Sequence, residues 1–252
     1  MTDLVLRKDH HGATTLTLNR PEKLNALTKE VFEALDKHLD AIARQTKTVG
    51  LVILRGAGGN FSTGYDMNEV LTYARARAKP HLNSEVIEKL SDMPQPVIAA
   101  VEGFCSTGAM ELALAGDLIV TCQSAQFSDA YARWGLTPIW GLSLRLPHRV
   151  GRAKAAEMMF TSRNYSGVEA QEMHLANFCF ADDQFEAGLG QLATEILANS
   201  WYANQVSKRA LIASDGLSLL DSHALELFKN EGLAPDAEKR IAKFFKSSKP
   251  QG

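Results

Sequence analysis

The sequence has little cysteine, no excess of charge and no long apolar run, and each absence argues against a class of protein. The three cysteines among 252 residues are Cys105, Cys122 and Cys179, which form no CxxC pair that could hold a metal or perform redox chemistry. We expect them to be reduced, buried thiols. The 27 basic and 29 acidic residues leave a net charge of -2, which gives no support for binding nucleic acid or an anionic membrane by bulk attraction.

No uncharged stretch approaches the roughly 20 residues that a helix needs to span a bilayer, and the first eleven residues are charged rather than apolar. We therefore expect no signal peptide, no membrane span and a cytoplasmic protein.

No histidine lies in a recognised motif, so no metal site is predicted. With 45% apolar residues, the chain can bury a sizeable core, and one α/β domain with an appendage is the expected size class.

The apolar pattern predicts an α/β core followed by helices. Residues 13–19 alternate as a strand does, and residues 28–44 show helical spacing. Apolar runs at 49–54, 96–101 and 117–122 have the length of strands buried on both faces. A last short strand at 177–181 precedes helical stretches at 184–199, 201–213, 217–230 and 235–246. Because this rhythm recurs without a close sequence repeat, it favours a stacked spiral of units over an open doubly wound sheet.

The pattern also predicts how the chain is divided. We expect a core over residues 1–195 and a helical C-terminal region over residues 196–252. One segment, residues 73–81, is rich in Ala, Arg and Lys and contains Pro80. It is the one candidate flexible segment, and it would be either a mobile lid or a solvated helix.

A glycine-rich loop, GAGGNFSTGYD over residues 56–66, directly follows the predicted strand at 49–54. Its small residues let the backbone approach another group closely, and Gly64 permits a positive φ just before Tyr65. Neither GxGxxG nor GxxxxGK[ST] is present, so nucleotide binding of the Rossmann or P-loop type has little support. Taken alone, the loop could equally be a long surface turn.

A second loop, EGFCSTGAMELALAGD over residues 102–117, follows the next buried strand. Residues 110–115 favour a helix that stops at Gly116 and begins near Gly108. Free N–H groups and the helix dipole suit that start to a developing negative charge, and Glu111 lies on the same side, three residues later. A first-turn glutamate is more often a partner of the helix dipole, and Gly108 could simply permit tight packing, so both alternatives stay open.

Together these segments resemble the enoyl-CoA hydratase/isomerase (crotonase) superfamily. The matching stretches are ordered and spaced as in enoyl-CoA hydratases, and the resemblance runs over essentially the whole chain; they are residues 19–27 (NRPEKLNAL), 61–67 (FSTGYDM), 96–117, 125–127 (AQF) and 135–138 (GLTP). The resemblance implies an α/β fold, a crotonase-like spiral of ββα units with a C-terminal helical trimerisation region. It also implies a homotrimer or a hexamer formed as a dimer of trimers.

The same resemblance implies which residues form the site. The backbone N–H groups of Tyr65 and Gly108 would form an oxyanion hole for a CoA thioester, and Glu111 would be the first of the two catalytic glutamates of the hydratases. The positions that match CoA-binding segments are Lys23, Leu24, Ala26, Ser62, Asp66, Met67 and Phe228. Phe228 would pack on the adenine side, within one chain or across a subunit interface. No permanently bound cofactor is expected, and coenzyme A would enter as part of the substrate.

The main departure from the family falls at the second glutamate, where this sequence has Tyr131. A phenol with a reference pKa of about 10 can donate a hydrogen bond but cannot act as a carboxylate base at neutral pH; it could otherwise be a packed aromatic. Asp129 would replace the glutamate only if the loop register slips, and it is otherwise expected to be solvated in a first helical turn. Trp140, in the family's glycine-rich segment, would either narrow the acyl pocket or pack in the core.

These observations predict acid–base chemistry centred on Glu111, with hydration of a 2-enoyl-CoA as the default reaction. Isomerisation, decarboxylation and C–C hydrolysis of a CoA thioester are alternatives within the superfamily, which changes chemistry at the two carboxylate positions. A non-catalytic homologue that binds acyl-CoA or RNA is a further alternative. The retained Glu111 argues for catalysis, and the lack of a basic patch argues against RNA.

Overall fold

In the computed structural model, residues 3–76, 81–229 and 231–247 are described, and within them the chain forms two sheets. The larger sheet has the spatial order β1 (Val5–His10), β2 (Ala13–Leu18), β3 (Leu51–Gly56), β4 (Val97–Val101), β6 (Leu118–Cys122) and β9 (Phe178–Phe180). The smaller sheet has the order β5 (Phe104–Ser106), β7 (Gln126–Ser128) and β8 (Tyr165–Ser166). All pairs are parallel except β1–β2 and β7–β8.

Helices separate the strands and then continue alone toward the C-terminus. They are α1 (Lys29–Ala43), α2 (Met67–Ala76), α3 (His81–Ser91), α4 (Gly108–Leu114), α5 (Leu142–Thr161), α6 (Gly167–Glu172), α7 (Phe185–Ala198), α8 (Trp201–Ser214), α9 (Leu219–Phe228) and α10 (Ala237–Ser247). Helix α5 is kinked at Gly151, whose φ is 76°. Consecutive strands β4 and β5 join different sheets, as do β6 and β7. This alternation is the predicted spiral of ββα units, so the fold prediction is confirmed.

The predicted core elements lie where the apolar pattern places them. Helix α1 begins after Thr28, whose hydroxyl accepts a hydrogen bond from the Val31 N–H, and the predicted apolar face of this helix is buried. Strands β3, β4 and β6 are buried along nearly their whole length, as expected for parallel strands covered on both faces.

Two predictions were wrong in this part of the molecule. The predicted strand at 13–19 is not the first of the chain, because β1 precedes it; β1 was missed because its four last residues are exposed or partly exposed and polar, as edge strands often are. Cys105 and Cys122 are buried free thiols, but Cys179 is only half-buried. It lies on β9, which is the other edge of the large sheet.

Other predictions are only partly covered by the described residues. Of the proposed lid at 73–81, residues 73–76 end α2 and residue 81 begins α3, while 77–80 lie outside the described residues. The predicted boundary after residue 195 falls in the last turn of α7 and stays a prediction. Across the described part of the chain, no helix combines the length and the apolar character needed to cross a bilayer.

Helix α8 packs across the ends of the strands at which β2 and β3 begin. The indole of Trp201 lies on Gly12 and Gly50, where an added Cβ would come within 2.6 Å and 2.4 Å of ring atoms. Seven residues later, the buried Lys208 Nζ donates to Asp117 Oδ2 at 2.7 Å. The C-terminal helices are therefore anchored to the sheet by one aromatic ring and one largely buried ion pair.

We expect Gly50→Ala to destabilise the protein by roughly 1–3 kcal/mol, because the new methyl group must displace the Trp201 ring from a filled site. Urea unfolding at a fixed protein concentration measures the change. Gly190→Ala is the matched control: Gly190 lies in α7 with no atom within 4 Å of an added Cβ, so alanine should raise helix stability by about 0.5–1 kcal/mol. Equal effects of the two substitutions would contradict this packing.

Candidate active site

The two glycine-containing loops run side by side as a short parallel ladder. The Phe61 N–H donates to Glu102 O at 2.8 Å, and the Ser62 N–H donates to Phe104 O at 2.9 Å. The ladder closes with the Ser106 N–H donating to Ser62 O at 3.3 Å. Two segments that are more than 40 residues apart in sequence are thus held in a fixed register, so both lead to the same point.

At that point the two backbones meet closely at Gly64. Its φ is +95°, and a Cβ there would lie 2.6 Å from Ser106 O and 3.3 Å from Gly108 N. Only glycine fits, for reasons of both conformation and space. Gly64 precedes Tyr65, and Gly108 is the first residue of α4. The structure therefore brings together the two residues whose amides were predicted to form an oxyanion hole.

The residue before Gly108 is strained. Thr107 has φ 50° and ψ -114°, a conformation that a β-branched side chain rarely adopts. It is held by its N–H, which donates to Ser128 O at 2.9 Å, and by its hydroxyl, which donates to Ser106 O at 2.8 Å. This turn leaves the Gly108 N–H at the helix start, where N–H groups have no acceptor within the helix.

A third segment, residues 23–27, binds the first loop from its other side. The Leu27 N–H donates to Gly64 O and the Asp66 N–H to Leu27 O, both at 2.8 Å. Asn25 is buried, and its side-chain amide donates to Ala57 O and to the main chain of residue 60. Three of the five sequence stretches that carry the family resemblance, 19–27, 61–67 and 96–117, thus converge around one site.

The residues predicted to contact CoA differ in exposure. Lys23, Leu24 and Met67 are exposed, and Ala26 and Asp66 are partly buried. Ser62 is fully buried, and its hydroxyl accepts a hydrogen bond from the Gly64 N–H at 3.1 Å. Its side chain therefore shapes the loop.

Phe228 lies apart from these residues in the chain, on α9. Its side chain is 90% exposed, and the main packing partner of α9 is α8.

Glu111 is completely buried, and its carboxylate accepts three hydrogen bonds. Oε1 accepts from the backbone N–H groups of Trp140 at 2.9 Å and Leu142 at 3.1 Å, and Oε2 accepts from the Tyr131 hydroxyl at 2.5 Å. Leu142 is the first residue of α5. Glu111 therefore points across the site to the N-terminus of a second helix, where a negative charge is favoured.

Burial dominates the electrostatics of this group. Removal from water raises the pKa of the Glu111 carboxyl, the three hydrogen bonds act against that rise, and the nearby Asp129 carboxylate adds to it. Burial, together with the charge of Glu111, also raises the pKa of the Tyr131 phenol, which therefore stays protonated and donates. A carboxyl group with a raised pKa can take and return a proton closer to neutral pH.

The Tyr131 hydroxyl is a hydrogen-bond donor to Glu111, whereas the expectation that Asp129 is solvated was wrong. Asp129 is 1% exposed rather than solvated. Its Oδ1 accepts the Tyr131 N–H at 3.0 Å, which closes an Asx turn, and burial raises its pKa. Asp129 therefore shapes the turn that carries Tyr131.

Sequence reasoning missed two donors to Glu111, the backbone N–H groups of Trp140 and Leu142. A backbone donor has no residue-type signature, so the one signal in the sequence was the family match at 135–138, directly before this segment. Trp140, whose role was left open, is 2% exposed. Its ring contacts Phe32 and Tyr65 edge-on, with centroid distances of 5.1 Å and 5.0 Å.

Comparison with known proteins agrees with this geometry. A family model described as enoyl-CoA hydratase/isomerase matches residues 8–243. The chain is 33% identical over 242 residues to a probable enoyl-CoA hydratase of Rhizobium meliloti, covering 91% of this chain and 93% of the relative. It is 29% identical over 262 residues to 1,2-epoxyphenylacetyl-CoA isomerase of Escherichia coli, covering 100% and 98%.

Among solved structures, an enoyl-CoA hydratase from Bacillus anthracis superposes with a TM-score of 0.92 at 26% identity, covering 97% of this chain and 96% of that one. Sequence and fold thus lead to the same group of proteins along nearly the whole chain. The chain belongs to the enoyl-CoA hydratase/isomerase family of acyl-CoA enzymes, within the crotonase superfamily.

Proposed function

We propose that this enzyme performs acid–base chemistry on a CoA thioester through an enolate, with Glu111 as its one proton-transferring carboxyl group. The observation that carries the proposal is the burial of the Glu111 carboxylate one helical turn from Gly108, where the Gly64 backbone meets the start of α4. An anion site and a proton acceptor are thereby combined at one helix end.

The N–H groups of Tyr65 and Gly108 are the proposed donors to the thioester oxygen. When a proton is added or removed beside a thioester, negative charge collects on that oxygen, and donors already aimed at it stabilise the transition state. The Tyr65 hydroxyl donates to Glu69 at 2.6 Å, which fixes the position of its side chain.

Hydration of a 2-enoyl-CoA is the first candidate reaction. Glu111 would take a proton from water as the water oxygen bonds to C3, and the same proton would then pass to C2 of the enolate. The Tyr131 hydroxyl is already donated to Glu111, and its oxygen keeps a lone pair that can orient the water. The net change is the addition of one water molecule.

Isomerisation of the double bond is the second candidate, and it is favoured by the Glu111–Tyr131 contact. The family's second glutamate is replaced by a phenol that is committed to Glu111. One carboxyl group can remove a proton from C2 of a 3-enoyl thioester and return it to C4, so this reaction needs no second carboxylate.

Coenzyme A would be held as part of the substrate, without a permanently bound cofactor. The proposed contacts are the exposed Lys23, Leu24 and Met67, the backbone around Ala26, Ser62 and Asp66, and Phe228 on the adenine side. The ammonium of Lys23 suits the phosphates of CoA. The Asp66 carboxylate pairs with Arg20 at 3.5 Å, which fixes the position of the loop that would face the ligand.

Assembly into a homotrimer or a hexamer is proposed on the surface of the C-terminal helices. Large apolar side chains there are exposed, among them Leu219 at 88% and Leu220 at 77%. A cleft of about 900 Å³ lies between α8 and α9. Contiguous apolar surface of this kind is uncommon on monomeric proteins and marks interfaces.

The first prediction from the proposed function is that acetyl-CoA and free CoA bind to the purified protein. Because the loops around Gly64 and Gly108 are held by backbone hydrogen bonds, the site is largely preformed and little ordering opposes binding. Isothermal titration calorimetry measures the affinity. No heat of binding at millimolar ligand would reject the CoA site.

The second prediction concerns Glu111. In Glu111→Gln the amide oxygen can still accept the two backbone N–H groups, and the NH₂ group can donate to Tyr131, so packing is kept while the proton acceptor is lost. We expect turnover to fall by roughly 100-fold or more with CoA binding preserved. The substrate comes from a screen of CoA thioesters read by mass spectrometry, in which hydration adds one water mass and isomerisation leaves the mass unchanged.

Two further variants are the controls for Glu111. Tyr131→Phe should cost less activity, because a hydrogen-bond donor is lost rather than the base. Asp129→Asn keeps the acceptor of the Tyr131 N–H and should be nearly neutral. Wild-type activity in Glu111→Gln would contradict the mechanism, whereas a collapse in Asp129→Asn alone would make Asp129 the second carboxylate.

The third prediction is a trimeric or hexameric mass in light scattering at micromolar concentration. Because the proposed interface is apolar, the mass should not fall when salt is added, since salt screens charge pairs and does not weaken apolar burial. A monomeric mass would reject the assembly, and dissociation by salt would assign it to charged contacts instead.

A further inference from the structure

The indole of Trp140 lies directly against the proposed oxyanion residues. A Cβ added to Gly108 would be 2.4 Å from Cζ3 and 3.1 Å from Cε3 of the indole, so the edge of the ring rests on the Gly108 Cα. The same ring meets the ring of Tyr65 edge-on at 5.0 Å. One side chain therefore contacts both residues that flank the meeting of the two loops.

The backbone of Trp140 reaches the third member of the site. Its N–H donates to Glu111 Oε1 at 2.9 Å, and its carbonyl accepts from Arg145 Nη1 at 3.0 Å. Gly141, which follows, has φ 103°, a conformation that lets the chain turn into α5 immediately after this contact. The same backbone contacts therefore fix both the Trp140 ring and the N–H group that donates to Glu111.

Shape rather than polarity holds the ring in place. The indole N–H is buried and has no hydrogen-bond partner among the described residues, although indole donors usually find one when buried. The ring instead packs edge-on against Phe32 at 5.1 Å. A buried polar group left unpaired is costly, so tryptophan at this position carries a cost that a purely apolar ring would avoid.

We propose that Trp140 is a positioning residue that holds the Gly108 amide and the Glu111 carboxylate in one fixed arrangement and shields both from bulk solvent. Only the expected effect of Trp140 on turnover rests on the proposed function. The effect of Trp140 on the pKa of Glu111 is a property of the free protein and can be measured without a substrate.

Four groups face the Glu111 carboxylate, and the Trp140 ring shields this cluster from solvent. From residues 125–135 these are the Tyr131 hydroxyl and the Asp129 carboxylate, and from the start of α5 they are the N–H groups of Trp140 and Leu142. A substitution of the Trp140 side chain leaves the backbone donors in place. It opens a path for water, and hydration favours the charged carboxylate.

The test is a pH titration of Glu111 by carbon-13 NMR of protein labelled at glutamate carboxyl carbons, with the resonance assigned from Glu111→Gln. In Trp140→Ala we expect the pKa of Glu111 to fall toward that of an ordinary glutamate. Trp140→Phe, which keeps an aromatic ring, should give a smaller change in the same direction. Far-UV circular dichroism checks folding, and if the alanine variant does not fold, the phenylalanine variant decides.

Trp134→Ala is the matched control. Trp134 is six residues earlier and 59% exposed, so its removal should leave the pKa of Glu111 unchanged. On the substrate found by the screen, kcat of Trp140→Ala should fall by roughly 10- to 100-fold with little change in KM, as expected when reacting groups are misplaced. A merely structural role would lower stability without moving the titration.

The outcomes separate this proposal from the proposed function. A folded Trp140 variant in which Glu111 titrates as in the wild type would overturn the positioning role, whatever the activity. A shifted titration in a protein that neither binds nor converts any CoA thioester would support the role of Trp140 and reject the function.

Discussion

The arrangement of the whole site depends on one short ladder of backbone hydrogen bonds, that between residues 61–62 and 102–106. It places the chain before Tyr65 in register with the chain before Gly108. Because β3 and β4 are neighbours and parallel, the loops leaving their C-terminal ends are already adjacent, and the ladder only has to fix their register. Ligand sites of open parallel sheets arise at the same end of the strands.

Three non-glycine residues with positive φ lie in or beside the loops that this ladder joins. Thr107, Leu24 and Asn25 all have positive φ values, of 50°, 48° and 54°, and each lies in a segment that contacts the loops. Such conformations cost on the order of 1–3 kcal/mol each and persist where the surroundings enforce them. Here the enforcing contacts are the bond from Thr107 to Ser128 and the buried amide of Asn25. The strained conformations of these three residues therefore orient main-chain groups around the site.

Sequence reasoning succeeded where chemistry is carried by residue type and spacing. A helix that starts near Gly108 and carries Glu111 three residues later was predicted from the residue pattern of 102–117, and the alternation of strands indicated the spiral. It failed where the decisive groups are main-chain atoms, as with the Trp140 and Leu142 donors, since any residue supplies an N–H. Asp129 was misjudged because an aspartate in a turn resembles a surface residue, whereas here the turn itself is buried.

The position of Glu111 has a consequence that reaches beyond the site. Its carboxylate caps the first turn of α5 while belonging to α4, so one ionisable group joins the two helices. An ionised acceptor makes stronger hydrogen bonds than a neutral one, and a charge at a helix N-terminus interacts with the helix dipole. Protonation of Glu111 therefore weakens its hydrogen bonds to the start of α5, and deprotonation strengthens them. Proton occupancy and the order of the segment from Trp140 onward are therefore thermodynamically linked, so a conformational change in this segment and the basicity of Glu111 must influence each other reciprocally.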